Sequence, residues 1–402
     1  MLTGQSILCF APDPWDDLWR NRHQIMSQLC QSNTVLYVEP RPYMRSVLRD
    51  LRRGQFGPRG PRMRQVRPNL YVYRSPRYAP LSGRPPLSTW TEALRDADLR
   101  RTMRRLGMER PILWLFRPDM ADLPGRYGER FMIYHVVDEY TGYADVEGAD
   151  VAGRIADIRR RERGLIADAD LVLVTSKTLL ASKGGINPNT HWVPNAVDYP
   201  AFAAAARNGE EPQELAATPP PRIGYVGAVN DKLDLGLLIA VAQAYPQVAL
   251  LVVGPERLTS DEARRNMERL RALENVRLLG QVPVERVPEF VAACNVGLLP
   301  YAQNAWTEAI HPLKLYEYLA CGLPVVASAI PSVREEADAA PDLGIAVAED
   351  RAAFVASVGR ALAEDEPQRR ALRQKRAAQN TWSHRVERIS ELVALGLQRD
   401  GG

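Results

Sequence analysis

His311-Pro312-Leu313-Lys314-Leu315-Tyr316-Glu317-Tyr318-Leu319-Ala320-Cys321-Gly322-Leu323-Pro324-Val325-Val326-Ala327-Ser328 reads as a helix, a glycine stop and a buried strand. Leu313 to Ala320 favours a helix, and Gly322 ends it without steric cost. The apolar run Pro324–Ala327 suits the interior of a parallel sheet. Lys314 and Glu317 stand three positions apart, so on a helix they share one face near its N-terminal end, just after His311-Pro312. A cation placed there can meet a diphosphate while the carboxylate accepts two ribose hydroxyls. The competing reading is an ordinary surface ion pair.

The same alternation continues in both directions. Strand-like runs near Ile7–Phe10, Val35–Val38, Ile112–Phe116, Met132–His135 and Leu171–Thr175 are each followed by a longer amphipathic or polar segment. Helices are expected near Asp17–Cys30, Ser88–Leu106 and Val151–Ala167. Residues 52–87 are rich in Pro, Gly and Arg, which predicts an irregular excursion beside an edge strand at Leu70–Tyr73. Between Arg207 and Pro221 the composition shifts to Asn-Gly-Glu-Glu-Pro and then three consecutive prolines, a linker pattern. Strands then recur near Ile223–Val226, Val248–Val253, Val276–Leu279, Val296–Leu299 and Pro324–Ala327. Helices fall between them, and a last amphipathic stretch runs from Arg385 to Leu397. The implied architecture is α/β, with two parallel sheets in two domains. The expected division is 1–206, a linker at 207–221, 222–380, and a closing segment at 381–402.

With 402 residues and 46% apolar composition, the chain can bury a sizeable core, which excludes disordered and fibrous classes. Four cysteines (Cys9, Cys30, Cys294, Cys321) lie far apart, with no CxxC pair, as in reduced, buried thiols of a cytoplasmic protein. Met1–Phe10 lacks the layout of a signal peptide, and no apolar run reaches the roughly 18 residues of a spanning helix. The net charge of +4 conceals an asymmetry: residues 41–110 hold 18 arginines and no lysine against five acidic residues. Such a patch can be a solvated face, or it can attract phosphates and anionic lipid. Only five of the 52 basic residues are lysines, which makes Lys232 and Lys314 more informative.

Glycines follow three strands of the second half: Gly227 after Ile223–Val226, Gly254 after Val248–Val253, and Gly280, two residues before Val282, after Val276–Leu279. In a doubly wound sheet, ligands bind at such strand ends, where backbone amides and helix N-termini approach phosphate. In the first half, Tyr134-His135-Val136-Val137-Asp138-Glu139-Tyr140 ends a strand, which makes Asp138 and His135 candidate catalytic residues. A turn-capping Asp and a core His are the structural alternatives. The loop Asp13-Pro14-Trp15-Asp16-Asp17-Leu18-Trp19-Arg20-Asn21-Arg22-His23 places aromatics beside charge, so Trp15, Asp17, Arg22 and His23 are candidate acceptor contacts. It lacks GxGxxG, which argues against a dinucleotide-binding first domain. Asp96-Ala97-Asp98 and Asp168-Ala169-Asp170 read as structural, so no metal is implied.

The stretch 311–328 resembles the C-terminal signature of the GT-B glycosyltransferases. It is most similar to the retaining family-four group and to related bacterial exopolysaccharide and teichuronic-acid enzymes. Ile223-Gly224-Tyr225-Val226-Gly227 is similar to the opening of their donor domain. Ala169–Ser176 and Val193–Asp198 are similar to the end of their acceptor domain, and Trp382 to the start of their crossover helix. The resemblance covers most of residues 130–395. It implies two Rossmann-like doubly wound domains facing a cleft, with a nucleotide-sugar donor (UDP- or GDP-sugar) on the second, an acceptor on the first, and a C-terminal helix crossing back. It implies donor contacts from Gly227, Val282, Lys314 and Glu317, with Lys232 one position from the family's usual loop lysine, and no cofactor beyond the substrate; Gly254 at its strand end and His311 before the helix are donor-binding candidates by position. Two positions depart from the pattern: Ala309 stands where a glutamate is usual, and Ala228 where an arginine is usual.

The expected activity is transfer of a hexosyl unit, without a metal, to a glycan hydroxyl in cell-envelope or exopolysaccharide synthesis. The acceptor is expected to be lipid-linked and met at an anionic membrane surface, with peripheral attachment from the cytoplasm and no nucleic-acid partner. The alternatives are a GT-B epimerase or small-molecule glycosyltransferase, and a non-enzymatic nucleotide-sugar or glycan-binding subunit.

Overall fold

A computed structural model describes residues 1–52, 61–81, 86–142 and 150–399. Its first sheet has eight strands: β1 (Ser6–Phe10), β2 (Thr34–Val38), β3 (Met63–Arg67), β4 (Leu70–Tyr73), β5 (Ile112–Leu115), β6 (Phe131–Val136), β7 (Leu171–Val174) and β8 (Thr190–Trp192). Their spatial order is β3-β4-β2-β1-β5-β6-β7-β8, all parallel except that β3 runs antiparallel to β4. The second half supplies β9 (Arg222–Val226), β10 (Val229–Asn230), β11 (Ala249–Val253), β12 (Glu256–Arg257), β13 (Val276–Gly280), β14 (Val296–Leu299), β15 (Val325–Ser328) and β16 (Ile345–Ala348). Six of these form a wholly parallel sheet in the order β13-β11-β9-β14-β15-β16, while β10 and β12 pair separately.

Parallel strands covered by helices on both faces lose the in–out alternation of half-exposed strands, and the runs Leu171–Val174 and Val325–Ser328 are buried at every position. Each sheet reverses its winding once. In the first the chain moves outward from β1, then restarts at β5; in the second it moves outward from β9 and restarts at β14. Those two switch points leave a crevice at the strand carboxyl ends, and the second one places Gly227 directly after β9.

The helix Leu313–Ala320 keeps the bounds that the sequence suggests. Its Tyr318 is fully buried: the hydroxyl donates to the Leu298 carbonyl at 3.3 Å and accepts from the Val226 N–H at 3.1 Å, joining the helix to β14 and β9. The ring has room because Gly297 has no side chain, since a Cβ there would overlap it. The C-terminal helix Trp382–Arg399 crosses back, burying Trp382, Val386, Ile389, Leu392 and Val393 in the core of the first domain.

Several expectations need adjustment. The edge of the first sheet is β3, one strand beyond Leu70–Tyr73, and a helix spans Met44–Arg52; within the irregular excursion, 74–80 form no helix or strand, while 53–60 and 82–85 lie outside the described residues. Mixed Arg and Gln hid β3 from any apolar count. The first helix is shorter than expected, Asn21–Leu29, because Trp15 to Arg20 pack as a loop. All four cysteines are buried free thiols. Among the described residues no helix is long and apolar enough to cross a membrane.

Tyr318→Phe removes the partner of a buried backbone N–H, so it should lower unfolding stability by about 1–3 kcal/mol, read from urea denaturation at constant m-value.

Candidate functional site

The glycines at the ends of β9, β11 and β13 are stitched together by their backbones. Gly227 N–H donates to the Val253 carbonyl and Gly254 N–H to the Gly280 carbonyl, both at 2.7 Å. Gly227 has φ +150° and Gly254 φ +140°, conformations that side chains rarely adopt. A Cβ on Gly254 would overlap the Gly227 carbonyl, and one on Gly227 would overlap Cε and Nζ of Lys314. Close approach is thus what both positions require. Gly280 (φ +67°) turns the chain in open space, with half-buried Val282 packed on the second core two residues later.

Lys314 therefore projects from the first turn of its helix across Gly227, with Nζ 5.2 Å from the centre of the Tyr225 ring. Burial is the main reason its ammonium titrates low, pushed down to about 8; Glu317 opposes that shift, and Arg20 and Lys232 reinforce it. Burial likewise raises the Glu317 carboxyl, with Lys314 pulling it back. The loop after β9 is fastened to the loop after β14: the Ala302 N–H donates to the Lys232 carbonyl at 2.9 Å and the Asp234 N–H to the Pro300 carbonyl at 2.9 Å. That fastening points Lys232 over the Trp306 ring, 4.5 Å from its centre, where Lys232 forms an ion pair with Asp138 of the first domain. Burial lowers the Lys232 ammonium and Asp138 counteracts it.

Sequence reasoning missed Arg20. It follows β1 at the switch point of the first sheet, is partly exposed, and lies near enough to both lysines to depress them. Three cations, Arg20, Lys232 and Lys314, thus converge on one crevice with Asp138 and Glu317 as the acids beside them. Its signal in the sequence was only position, one of two arginines in the loop after the first strand in an arginine-rich chain.

The structure does not bring every candidate residue to this cluster. His135 is 1% exposed, stacked 5.3 Å from Phe116, with neither ring nitrogen partnered among the described residues; burial pushes it down to about 3. Trp15, His23 and Tyr37 form a buried aromatic cluster, Arg22 is buried against Asp13, and burial pushes His23 down to about 3. Those acceptor candidates shape the loop from beneath. Asp17 does reach the crevice rim, where it pairs with Arg257 of the second domain. His311 faces away from Lys314, into a cavity of about 380 Å³ bounded by Tyr316, Trp192, Arg376 and Arg385. Glu308 is exposed, while Ala309 is buried in the core of the first domain. The Ala309 carbonyl accepts from Ser176 Oγ, and the His311 carbonyl from Asn195 Nδ2, each at 2.7 Å. A glutamate at 309 would place its carboxylate in that apolar core.

Residues 220–364 match the family model described as glycosyl transferases group 1. The fold is GT-B. Sucrose-phosphate synthase from Thermosynechococcus elongatus superposes with TM-score 0.71 at 18% identity, covering 97% of this chain and 98% of that one. HepE from Anabaena, in complex with UDP-glucose, gives TM-score 0.65 at 16% identity, covering 97% and 99%. In sequence, the chain is 29% identical over 242 residues to the putative teichuronic acid biosynthesis glycosyltransferase TuaH of Bacillus subtilis (strain 168). That alignment covers 56% of this chain and 57% of the relative, so the chain spans little more than half the relative's length. In GT-B terms the three-cation crevice lies between the two Rossmann-like domains.

Gly254→Ala forces a Cβ against the Gly227 carbonyl at positive φ, and should cost about 1–3 kcal/mol, measured as a lower midpoint in chemical denaturation with secondary structure retained.

Proposed function

We propose that the chain transfers a hexosyl unit from a UDP- or GDP-sugar to a hydroxyl of a cell-envelope or exopolysaccharide glycan carried on a lipid. The observation that carries the reading is the convergence of Arg20, Lys232 and Lys314 at the glycine-lined switch point, beside Glu317. The matched group 1 segment and the solved GT-B relative with UDP-glucose support it.

In this reading the diphosphate lies over Gly227, and Glu317 accepts the ribose hydroxyls. Gly254 and Val282 border the nucleoside. The bond between the anomeric carbon and the diphosphate oxygen breaks as the acceptor oxygen bonds to that carbon. Negative charge grows on the departing nucleoside diphosphate, and three fixed cations stabilise it without a metal. Asp138, on the first-domain side, takes the proton of the incoming hydroxyl in an inverting transfer; in a retaining one it orients the sugar or acceptor and the proton passes to the departing diphosphate oxygen. Lys232 already touches Asp138, so it stands between the acceptor and leaving-group sides.

Two measurements test this. Glu317→Ala should weaken UDP-sugar or GDP-sugar binding by about 1–3 kcal/mol in calorimetry, and unchanged affinity would remove Glu317 from the site. The second uses Lys314, which titrates at about 8 when unliganded. A diphosphate favours its ammonium form, so binding takes up a proton and affinity falls as pH rises through that value. The loss should be roughly tenfold between about pH 7.5 and about 9, with proton uptake visible in buffers of different ionisation enthalpy and absent in Lys314→Met.

A further inference from the structure

Exposed large apolar side chains are gathered in one segment of the first domain's chain. Among the described residues, seven of eleven lie between positions 43 and 94, the segment in which the arginine excess also falls. In the helix Leu87–Arg105, Leu87, Trp90 and Leu94 are spaced three and four apart and form one stripe; Trp90 is 72% exposed. This stripe is not the packing face, because Thr91, Arg95, Leu99 and Met103 of the same helix turn inward. The helix Met44–Arg52 repeats the arrangement: Val47 is buried, Leu48 and Leu51 are exposed, and exposed Arg49 and Arg52 stand beside them.

The two helices are tied through one connecting segment. Met44 N–H donates to the Leu81 carbonyl at 2.9 Å, and Arg95 Nη1 donates to the Ala79 and Pro80 carbonyls, each at 2.9 Å. Exposed Tyr78 lies on that segment. The apolar stripes are therefore held on ordered backbone, which lowers the entropy cost of presenting them.

Scattered exposed leucines need no explanation, but stripes on two helices joined by a common segment do. Charge decides what covers them. The region has arginines and no lysine, and guanidinium forks pair bidentately with phosphate oxygens while their stems lie along apolar surface. Some arginines here are satisfied internally, as Arg41 is by Asp122 and Arg77 by Asp50, but Arg49 and Arg52 flank the apolar residues directly. Apolar residues beside cations fit the headgroup–acyl boundary of an anionic lipid layer.

We propose that this face of the first domain docks on an anionic lipid surface, with Leu48, Leu51, Leu87, Trp90 and Leu94 entering the headgroup–acyl boundary and arginines pairing with lipid phosphates. The inference deepens the lipid-linked acceptor reading and rests on it for its consequence: an acceptor anchored in the same layer reaches Asp138 by diffusing in two dimensions. Docking itself is read without any substrate.

The test is co-sedimentation of the full chain with vesicles of phosphatidylcholine alone or mixed with phosphatidylglycerol. Binding should require the anionic lipid and weaken with salt. Trp90→Ser combined with Leu94→Ser should reduce partitioning about tenfold or more, and Arg49→Gln with Arg52→Gln severalfold with a shallower salt dependence. All four positions are exposed, so circular dichroism and thermal unfolding should match the parent chain. No vesicle binding, or equal binding by the Trp90/Leu94 variant, overturns the proposal. So does light scattering showing that the face joins copies of the chain instead. Loss of nucleotide-sugar binding with vesicle docking intact would count against the transferase reading and leave the surface assigned.

Discussion

The crevice depends on how closely Lys314 approaches the backbone at Gly227. That approach is possible only because no side chain stands at Gly227, and it is stable only because the helix bearing Lys314 cannot retreat. Tyr318 prevents retreat by reaching one turn further along the helix into the peptide groups of β9 and β14. The room for its ring comes from Gly297. A run of glycines at strand ends and beneath an aromatic ring thus converts a flexible lysine into a fixed charge. The penalty shows in the depressed ammonium, which is a cation held in readiness for an anion.

Besides the ion pairs Lys232–Asp138 and Asp17–Arg257, the two domains meet through contacts that use the backbone on one side. Ser176 and Asn195 of the first domain donate to the carbonyls of Ala309 and His311, and Arg385 of the crossover segment donates to the Pro194 carbonyl at 3.0 Å. Such contacts depend little on the side chains at 309 and 311, yet they restrict them. Ala309 is small because it is pressed into the first core. The departure from the usual glutamate is therefore a packing fact in this chain, and the charge that a glutamate would carry is not replaced by Glu308, which points to solvent. Ala228, where an arginine is usual, removes a positive charge as well, so the two departures leave the balance of charge in the crevice unchanged.

What the sequence disclosed and what it hid divide along physical lines. Strands buried on both faces are continuous apolar runs, so β1, β2, β7, β9, β14 and β15 were legible, as was the helix that Gly322 terminates. The edge strand β3 was not, because Met63–Arg67 is mostly polar and its pairing with β4 is a tertiary fact. At the site, Lys314, Gly227 and Gly254 were visible through spacing and strand-end position. His135 and His311 were misplaced by the same reasoning: the residue at the end of a strand or start of a helix is known, but the direction of its side chain is set by packing. His135 turned toward Trp114 and Phe116, and His311 toward Tyr316. Trp15 and His23 looked like surface aromatics beside charge until their rings proved to pack on one another and on Tyr37. Arg20 went unnoticed because its importance arises across the crevice, from residues more than two hundred positions away.

In the proposed reaction, the ion pair between Lys232 and Asp138 gives the crevice a means of coordination. Each charge is largely withdrawn from water, so each relies on the other, and removing either partner from such a pair is costly. A diphosphate entering beside Lys314 offers Lys232 a second anion. The ammonium, which lies over the Trp306 face beside Asp138, has three donors and in that reaction would hold both anions. Any withdrawal of Lys232 toward the diphosphate loosens its hold on Asp138 just when an acceptor hydroxyl needs that carboxylate. Donor occupancy and acceptor readiness are then linked through one side chain, and the link requires the two domains to be apposed, as the carbonyl contacts at 309 and 311 keep them.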